Sequence, residues 1–256
     1  MLSVPGLDNK CLQQGNNLLR KMSQLQRIAI ASSQFQQEQI LLTKEQQHYL
    51  GRVLRLRESD RFIAMDGKGK WWLAQLAGEQ AQVLEALVVE TELSVAITLM
   101  VALPKGNGFD EVVRCSTELG VACIAPVLSD RTLLYPSPQK LERWRRIAGE
   151  AAEQSERSFV PTILEPVAFN TAVTINQTSH RYICEARGEY PHLNKVLSSI
   201  TTEIVIATGP EGGWTTQEIE NAKLAGFQPV SLGRRILRAV TAPVVALSLI
   251  TAACEV

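Results

Sequence analysis

The stretch that decides the fold is TGPEGGW, Thr208–Trp214, set between the run EIVIA (203–207) and the segment TTQEIENAKLAG (215–226). EIVIA reads as a buried strand, short and apolar without the alternation of a half-exposed one. TTQEIENAKLAG opens on Thr215 with Glu218 three residues later, a capping box that starts a helix. A buried strand passing through a glycine-rich turn into a helix is the building unit of a parallel α/β sheet, and ligands of such sheets collect at the carboxyl ends of strands. Gly209, Gly212 and Gly213 let the backbone turn where other residues cannot, and let a ligand approach main-chain atoms closely.

The loop is a poor match to a phosphate cradle. It has neither G-x-x-x-x-G-K-[ST] nor G-x-G-x-x-G, and Glu211 would repel a phosphate. Taken alone it could be a tight turn with no ligand. A second loop, SLGRRILRAVTAP (231–243), follows the next strand at the same edge of the sheet. There Gly233 repeats the glycine-after-strand arrangement, and Arg234, Arg235 and Arg238 concentrate positive charge. From Asn221 to Cys254 there are four basic residues and no carboxylate. Such charge beside a backbone-lined pocket suggests a polyanionic substrate; the alternative is that these arginines satisfy helix ends or reach acids elsewhere.

Outward from these loops, apolar strands alternate with amphipathic helices across residues 96–256, the grammar of a parallel sheet covered on both faces. The strands are AITLMVAL, VACIAPVL, RYICEA, EIVIATG and PVSLG. The helices are FDEVVRCSTELG, SPQKLERWRRIAGEAAEQSER, TTQEIENAKLAG and an apolar one after Arg238. Residues 28–95 read differently, as short strands (RIAIA, RFIAMDG, KWWLAQL, AQVLEALVV) broken by Asp66-Gly67, Gly69 and Gly78, a meander or small barrel. One helix interrupts them, capped by Thr43, with Tyr49, Leu50, Val53 and Leu54 on one face. Residues 1–27 lack the apolar core of a signal peptide and read as a poorly ordered extension. Residues 44–75 hold seven Lys or Arg against four acids. That excess fits either a solvated face or a phosphate-contacting surface, with Trp71 and Trp72 as stacking candidates.

Composition bounds the function. The 256 residues are 45% hydrophobic with 26 basic and 26 acidic side chains, so a nucleic acid would be held by local patches and not by an overall field. Five scattered cysteines and three histidines, without C-x-x-C spacing, argue for reduced thiols in a cytoplasmic setting and against a zinc site or a disulfide framework. No apolar run reads as a membrane span, and no metal is expected.

ALPKG (102–106), TELGV (117–121), EAAEQSER (150–157), TGPEGGW (208–214) and SLGRRILRAVTA (231–242) together resemble the RsmE family, SPOUT-class methyltransferases that modify N3 of a uridine in small-subunit (16S) ribosomal RNA. The resemblance extends from about Gln26 to the C-terminus. It implies a PUA-like β-barrel for RNA binding, a SPOUT sheet with a C-terminal trefoil knot, a homodimer and S-adenosyl-L-methionine as methyl donor. Carried over by position, the cofactor pocket falls on Thr208, Gly209, Pro210, Glu211, Gly212, Gly213, Leu232, Gly233, Ile236, Leu237 and Thr241. Where the family has L-R-x-E-T-A, this chain has Val240 in place of the glutamate.

The chemistry implied is an in-line displacement, in which alignment supplies much of the rate. A uridine N3 is nucleophilic only as its anion, whose charge spreads onto the flanking carbonyl oxygens, so a cationic donor aimed at them would stabilise it. Arg238 is the candidate, with Arg234 or Arg235 as lesser ones, and the proton acceptor is left to water or an unassigned group. Phosphate contacts are expected from Arg52, Arg55, Lys68, Lys105, Arg234 and Arg235, with helix 139–157 adding Lys140, Arg143, Arg145, Arg146 and Arg157. The partner implied is small-subunit ribosomal RNA or a ribosomal particle. The terminal helix APVVALSLITAA, apolar on nearly every side, is expected in a core or against a symmetry mate. The rival readings are an RNA-binding protein of this fold without catalysis and a SPOUT methyltransferase acting on a different RNA site.

Overall fold

The computed structural model describes residues 25–132, 135–175, 178, 180–197 and 203–255. Most of the extension expected over residues 1–27 therefore lies outside the described residues. The chain divides into two compact units between Val89 and Glu90.

The N-terminal unit is a six-stranded mixed sheet. Its strands are β1 (Arg27–Ala29), β2 (Phe35–Gln36), β3 (Gln39–Leu41), β4 (Arg61–Met65), β5 (Trp71–Ala77) and β6 (Gln80–Leu87), in the order β1-β4-β5-β6-β3-β2. Only β1 and β4 pair in parallel. Ile28, Ile40, Phe62, Ala74 and Ala81 fill one core together with Leu50 of the helix α1 (Lys44–His48) and its continuation. Thr43 caps α1 through Gln46, as the sequence indicates. The helix then widens into a π turn over Tyr49–Val53, where the Leu54 N–H donates to Tyr49 at 2.9 Å, five residues back. That widening shifts the phase of the helix. Tyr49, Leu50 and Leu54 still pack inward, but Val53, expected on the same face, is 58% exposed. Trp71 is buried and not free to stack on a base, while Trp72 is half-buried and packs at a tilt on Phe35 with ring centroids 4.4 Å apart.

In the C-terminal unit the strands β7 (Ile97–Ala102), β8 (Cys123–Leu128), β9 (Thr162–Ile163), β10 (Val167–Ala168), β11 (His180–Cys184), β12 (Ile204–Thr208) and β13 (Gln228–Val230) form a parallel sheet. The order is β10-β8-β7-β12-β11-β13, with β9 also on β8. Alternate residues of one strand feed two cores. Ile97, Leu99 and Val101 face the core holding α2 (Gly108–Glu118), α3 (Pro138–Gln154) and α7 (Thr241–Cys254). Met100 and Ala102 face the core of α4 (Phe169–Ile175) and α6 (Thr216–Leu224). Burial on both faces is why these strands are apolar throughout. The segment before β11 gave no sequence signal, yet its helix α4 supplies Phe169, Ala172 and Val173 to the second core. The short helix α5 (Leu193–Val196) lies on the side of α7.

β7 and β12 are neighbours, and the helices that follow them, α2 and α6, leave to opposite faces. The same divergence separates β12 from β11, whose chain continues into α5. Where successive connections part in this way the loops at the strand ends frame a crevice. Within α3, Leu141, Trp144, Ile147, Ala148 and Ala151 are core, as read from the sequence. Its cations are engaged inside the fold: Arg143 on Asp110, Arg145 on Glu142 and Glu165, Arg146 on Glu150. Arg157 is 5% exposed and held by the half-buried Glu92 at 2.5 Å, so the expected phosphate contact there is replaced by an ion pair within the fold.

Candidate functional site

Three loops meet at the carboxyl ends of β11, β12 and β13. They frame a cleft of about 770 Å³ counting its mouth, lined by Cys184–Arg187, Gly209–Trp214 and residues between Leu232 and Ala242. A second cavity adjoins it, of about 710 Å³ by the same measure, lined by Glu211, Ile236, Leu237, Arg238, Ala239 and Val240. Glu211, Ile236, Leu237 and Ala239 border both.

The β12 loop is built for close approach. Trp214 is buried, stacks on Phe169 with centroids 4.3 Å apart, and donates its indole N–H to the Cys184 carbonyl at 3.2 Å. Its ring lies so near Gly209 that a Cβ there would come within 3.1 Å of Nε1. Glycine at 209 thus gives the Trp214 ring room that a larger residue would have to push it out of. At Gly213 and Gly233 glycine is a backbone requirement, with φ of 71° and 121°.

Three ties hold this loop. Glu211 Oε1 accepts the Lys105 N–H at 2.9 Å, joining the ends of β7 and β12. Arg131, in the turn after β8, donates to the carbonyls of Gly212 and Gly213. Glu218 is 1% exposed; one carboxylate oxygen accepts the Thr215 N–H at 2.7 Å and the other the Asp130 N–H at 2.9 Å. Thr215 Oγ1 in turn donates to Asp130 at 3.0 Å. The capping box read from the sequence thus does more than start a helix. It anchors the loop to the end of β8.

The β13 loop is different in kind. Among the described residues no hydrogen bond engages the main chain of Arg234–Leu237. Their peptide groups are free to serve a ligand, beside an apolar wall of Ile236, Leu237, Ala239 and Ala242. An adenine edge and an amino-acid carboxylate are recognised by such free donors and acceptors, and an adenine face by such a wall. The residues present therefore fit S-adenosylmethionine. Burial, with Glu185 alongside, pushes the Cys184 thiol up to about 12, so it is a neutral part of the cleft and not a nucleophile.

Of the residues expected in a cofactor pocket, Gly209, Pro210, Glu211, Gly212, Gly213, Leu232, Gly233, Ile236 and Leu237 all line the cleft. Thr208 lies beneath it, fully buried, its Oγ1 without a partner among the described residues. Thr241 begins α7 and is exposed, and its neighbour Ala242 lines the cleft instead. Arg238 lines the second cavity, Arg235 the first, and Arg234 neither. Arg52, Arg55, Lys68, Lys105, Arg234 and Arg235 are all exposed. Among the described residues none of these six stands in an ion pair with an acid. The β11 loop, Cys184–Arg187, was missed by sequence reasoning, although Gly188 repeats the glycine-after-strand signal used for the other two loops. Among the described residues no group of three or more His, Cys, Asp or Glu could hold a metal ion, and no helix is long and apolar enough to cross a membrane.

Residues 91–251 match a family model described as an RNA methyltransferase domain, and residues 42–86 one described as an RNA methyltransferase PUA domain. Fold and site together define an RNA methyltransferase with a PUA-type N-terminal module. The chain is 49% identical over 236 residues to the ribosomal RNA small subunit methyltransferase E of Synechocystis sp., covering 90% of this chain and 78% of that protein. It is 30% identical to the protein of the same name from Bacillus subtilis, with 82% and 88% covered. A crystal structure of the Neisseria gonorrhoeae methyltransferase E bound to S-adenosyl methionine superposes with a TM-score of 0.81 at 32% identity, covering 89% of this chain and 97% of that one. A Legionella pneumophila putative methyltransferase, also with bound SAM, gives 0.79 at 28% identity, with 90% and 98% covered. The chain belongs to the ribosomal RNA small subunit methyltransferase E family.

Proposed function

We propose that this protein transfers a methyl group from S-adenosylmethionine to N3 of a uridine in small-subunit (16S) ribosomal RNA. The observation that carries the reading is the cleft: three strand-end loops, one with its main chain unengaged among the described residues over Arg234–Leu237, beside an apolar wall. Family membership over both units supports it. When bound there, the cofactor supplies an electrophilic methyl group on a sulfonium. The loops 209–213 and 232–237 hold and orient it, and Trp214 and Cys184 close the floor of the cleft.

Arg238 serves the other reactant. It lines the adjoining cavity, where its guanidinium can donate to the carbonyl oxygens that flank N3 and so favour the imide anion. A uridine must leave its stack to enter such a cavity. Arg52, Arg55 and Lys68 in the N-terminal unit, and Lys105, Arg234 and Arg235 around the site, grip the surrounding phosphates. The fold would carry the trefoil knot of its class. α7 keeps Val244, Val245 and Leu249 only half-buried, which supports a homodimer through that helix. The setting is cytoplasmic, with small-subunit ribosomal RNA, free or in a ribosomal particle, as substrate.

Calorimetry with S-adenosylmethionine, followed by mapping of N3-methyluridine in 16S RNA, both free and in small ribosomal subunits, incubated with the protein and cofactor, tests the reading. Micromolar cofactor binding and one new N3-methyluridine are expected. RNA binding without cofactor binding would leave a non-catalytic RNA-binding protein instead.

A further inference from the structure

The two cavities share one carboxylate. Glu211 Oε1 is engaged by the Lys105 N–H, while among the described residues Oε2 has no partner. The second cavity is otherwise lined by Ile236, Leu237, Ala239 and Val240, which carry no polar side-chain atom, and by Arg238, which donates but cannot accept a proton. Among the described residues, Glu211 is thus the only side-chain proton acceptor lining that cavity. Glu185, the other carboxylate near the cofactor cleft, borders only the first cavity, and its Oε1 accepts the Arg187 N–H at 2.6 Å.

We infer that the second cavity seats the target base and that Glu211 Oε2 takes the proton from its N3. This rests on the function proposed above and names the acceptor which that reading leaves open. The base lies between opposite charges: Arg238 donates to an imide oxygen, and Glu211 accepts from the N–H beside it. The proton passes to Oε2 and the electron pair of the N–H bond stays on nitrogen. The nitrogen then forms its bond to the methyl carbon as the carbon–sulfur bond breaks, its electron pair leaving with a sulfur that becomes a neutral thioether. Glu211 afterwards yields the proton to water at the open mouth of the cavity.

The role predicts a particular pattern for Glu211→Gln. Glutamine keeps a carbonyl oxygen for the Lys105 N–H, so the loop stays tied and the affinity for S-adenosylmethionine by calorimetry stays within about twofold, while transfer falls by about 10²–10⁴-fold. A 5-fluorouridine at the target position is more acidic at N3. On that RNA the defect should shrink at least tenfold, and the variant's rate should climb with pH across the range where the wild-type rate is flat. Glu211→Asp, which keeps a carboxylate, should fall between the two and retain the wild-type pH profile. A glutamine variant that methylates at the normal rate refutes the assignment. So does a defect of equal size on both RNAs, or a loss that is wholly one of cofactor affinity. A wild-type protein that forms no N3-methyluridine would instead sink the functional reading, and the two failures are distinct.

Discussion

Replacing Glu218 by alanine should loosen the cofactor loop from a distance. The carboxylate is 1% exposed and accepts two main-chain N–H groups, Thr215 at 2.7 Å and Asp130 at 2.9 Å. A hydrogen bond to a charged acceptor contributes about 1.5–3 kcal/mol, so the two would sum to about 3–6 kcal/mol if neither donor found a substitute. Asp130 is exposed and Thr215 half-exposed, and water can reach both once the side chain is gone. A loss of about 2–4 kcal/mol is therefore expected. In a protein of this size that lowers the melting temperature by roughly 5–15 °C. Urea unfolding followed by tryptophan fluorescence measures it, because Trp214 sits in the same loop, stacked on Phe169. Glu218→Gln keeps the shape and one acceptor but turns an NH₂ toward the second donor, so it should lose about half as much. The loop it anchors lines the cofactor cleft, and calorimetry should show S-adenosylmethionine affinity reduced at least tenfold in the alanine variant. A variant within 1 kcal/mol of wild type, with unchanged affinity, would refute the claim that this carboxylate positions the loop.

Arg157→Ala should cost about 2–4 kcal/mol in stability, because it frees the carbonyls of Thr117 and Val121 that Arg157 now bonds and takes the guanidinium from the half-buried Glu92, which keeps only the Ser158 and Phe159 N–H groups; RNA affinity measured on the folded fraction should not change. Cys184 sets a pH window. Below about 9 both the folded and unfolded chains keep its proton, but above that the unfolded chain releases it while the folded one holds it to about 12, so stability falls as pH rises through that range. At pH 8 its alkylation by iodoacetamide, followed by mass spectrometry, should be on the order of a hundredfold slower than that of a free cysteine, the scarcity of thiolate being partly offset by its greater nucleophilicity. A Cys184 rate that levels off near pH 9 would contradict this.

What the sequence made legible was local. The strand, glycine turn and capped helix at 203–226 could be read because each signal lies within a few residues of the structure it encodes. The charged residues were harder, because a charge does not say whom it meets. Arg157 reads as an RNA contact, yet its buried guanidinium pairs with a half-buried carboxylate 65 positions away. Asp130 and Arg131 carried no signal at all, yet they hold the cofactor loop through bonds spanning 81 to 88 positions. Val53 departs for another reason: the 3.6-residue period of an α-helix does not hold across a turn that is wound wider.

Val240, where the family pattern has glutamate, sits at the N-cap of α7 and makes no side-chain cap bond. Its effect on the site depends on which donors a carboxylate there would have served. The Thr241 and Ala242 N–H groups both bond to the Arg238 carbonyl, at 2.9 and 3.0 Å, and Pro243 has no N–H. The first three positions of the helix therefore leave no donor for a capping acid. Valine adds apolar contact instead, packing beside the core of α2 and α7, so near Gly108 that a Cβ there would meet its Cγ1 at 2.7 Å. Farther along, Ala246, Leu247 and Ile250 are fully buried and Thr251 Oγ1 donates to the Leu119 carbonyl at 3.0 Å. The helix is fixed without the glutamate, and because its first turn hangs on the Arg238 carbonyl, so is the backbone that presents Arg238. What the substitution removes is a second negative charge from the cavity that Arg238 lines. With valine there, Glu211 is left as the one carboxylate among the described residues that line that cavity.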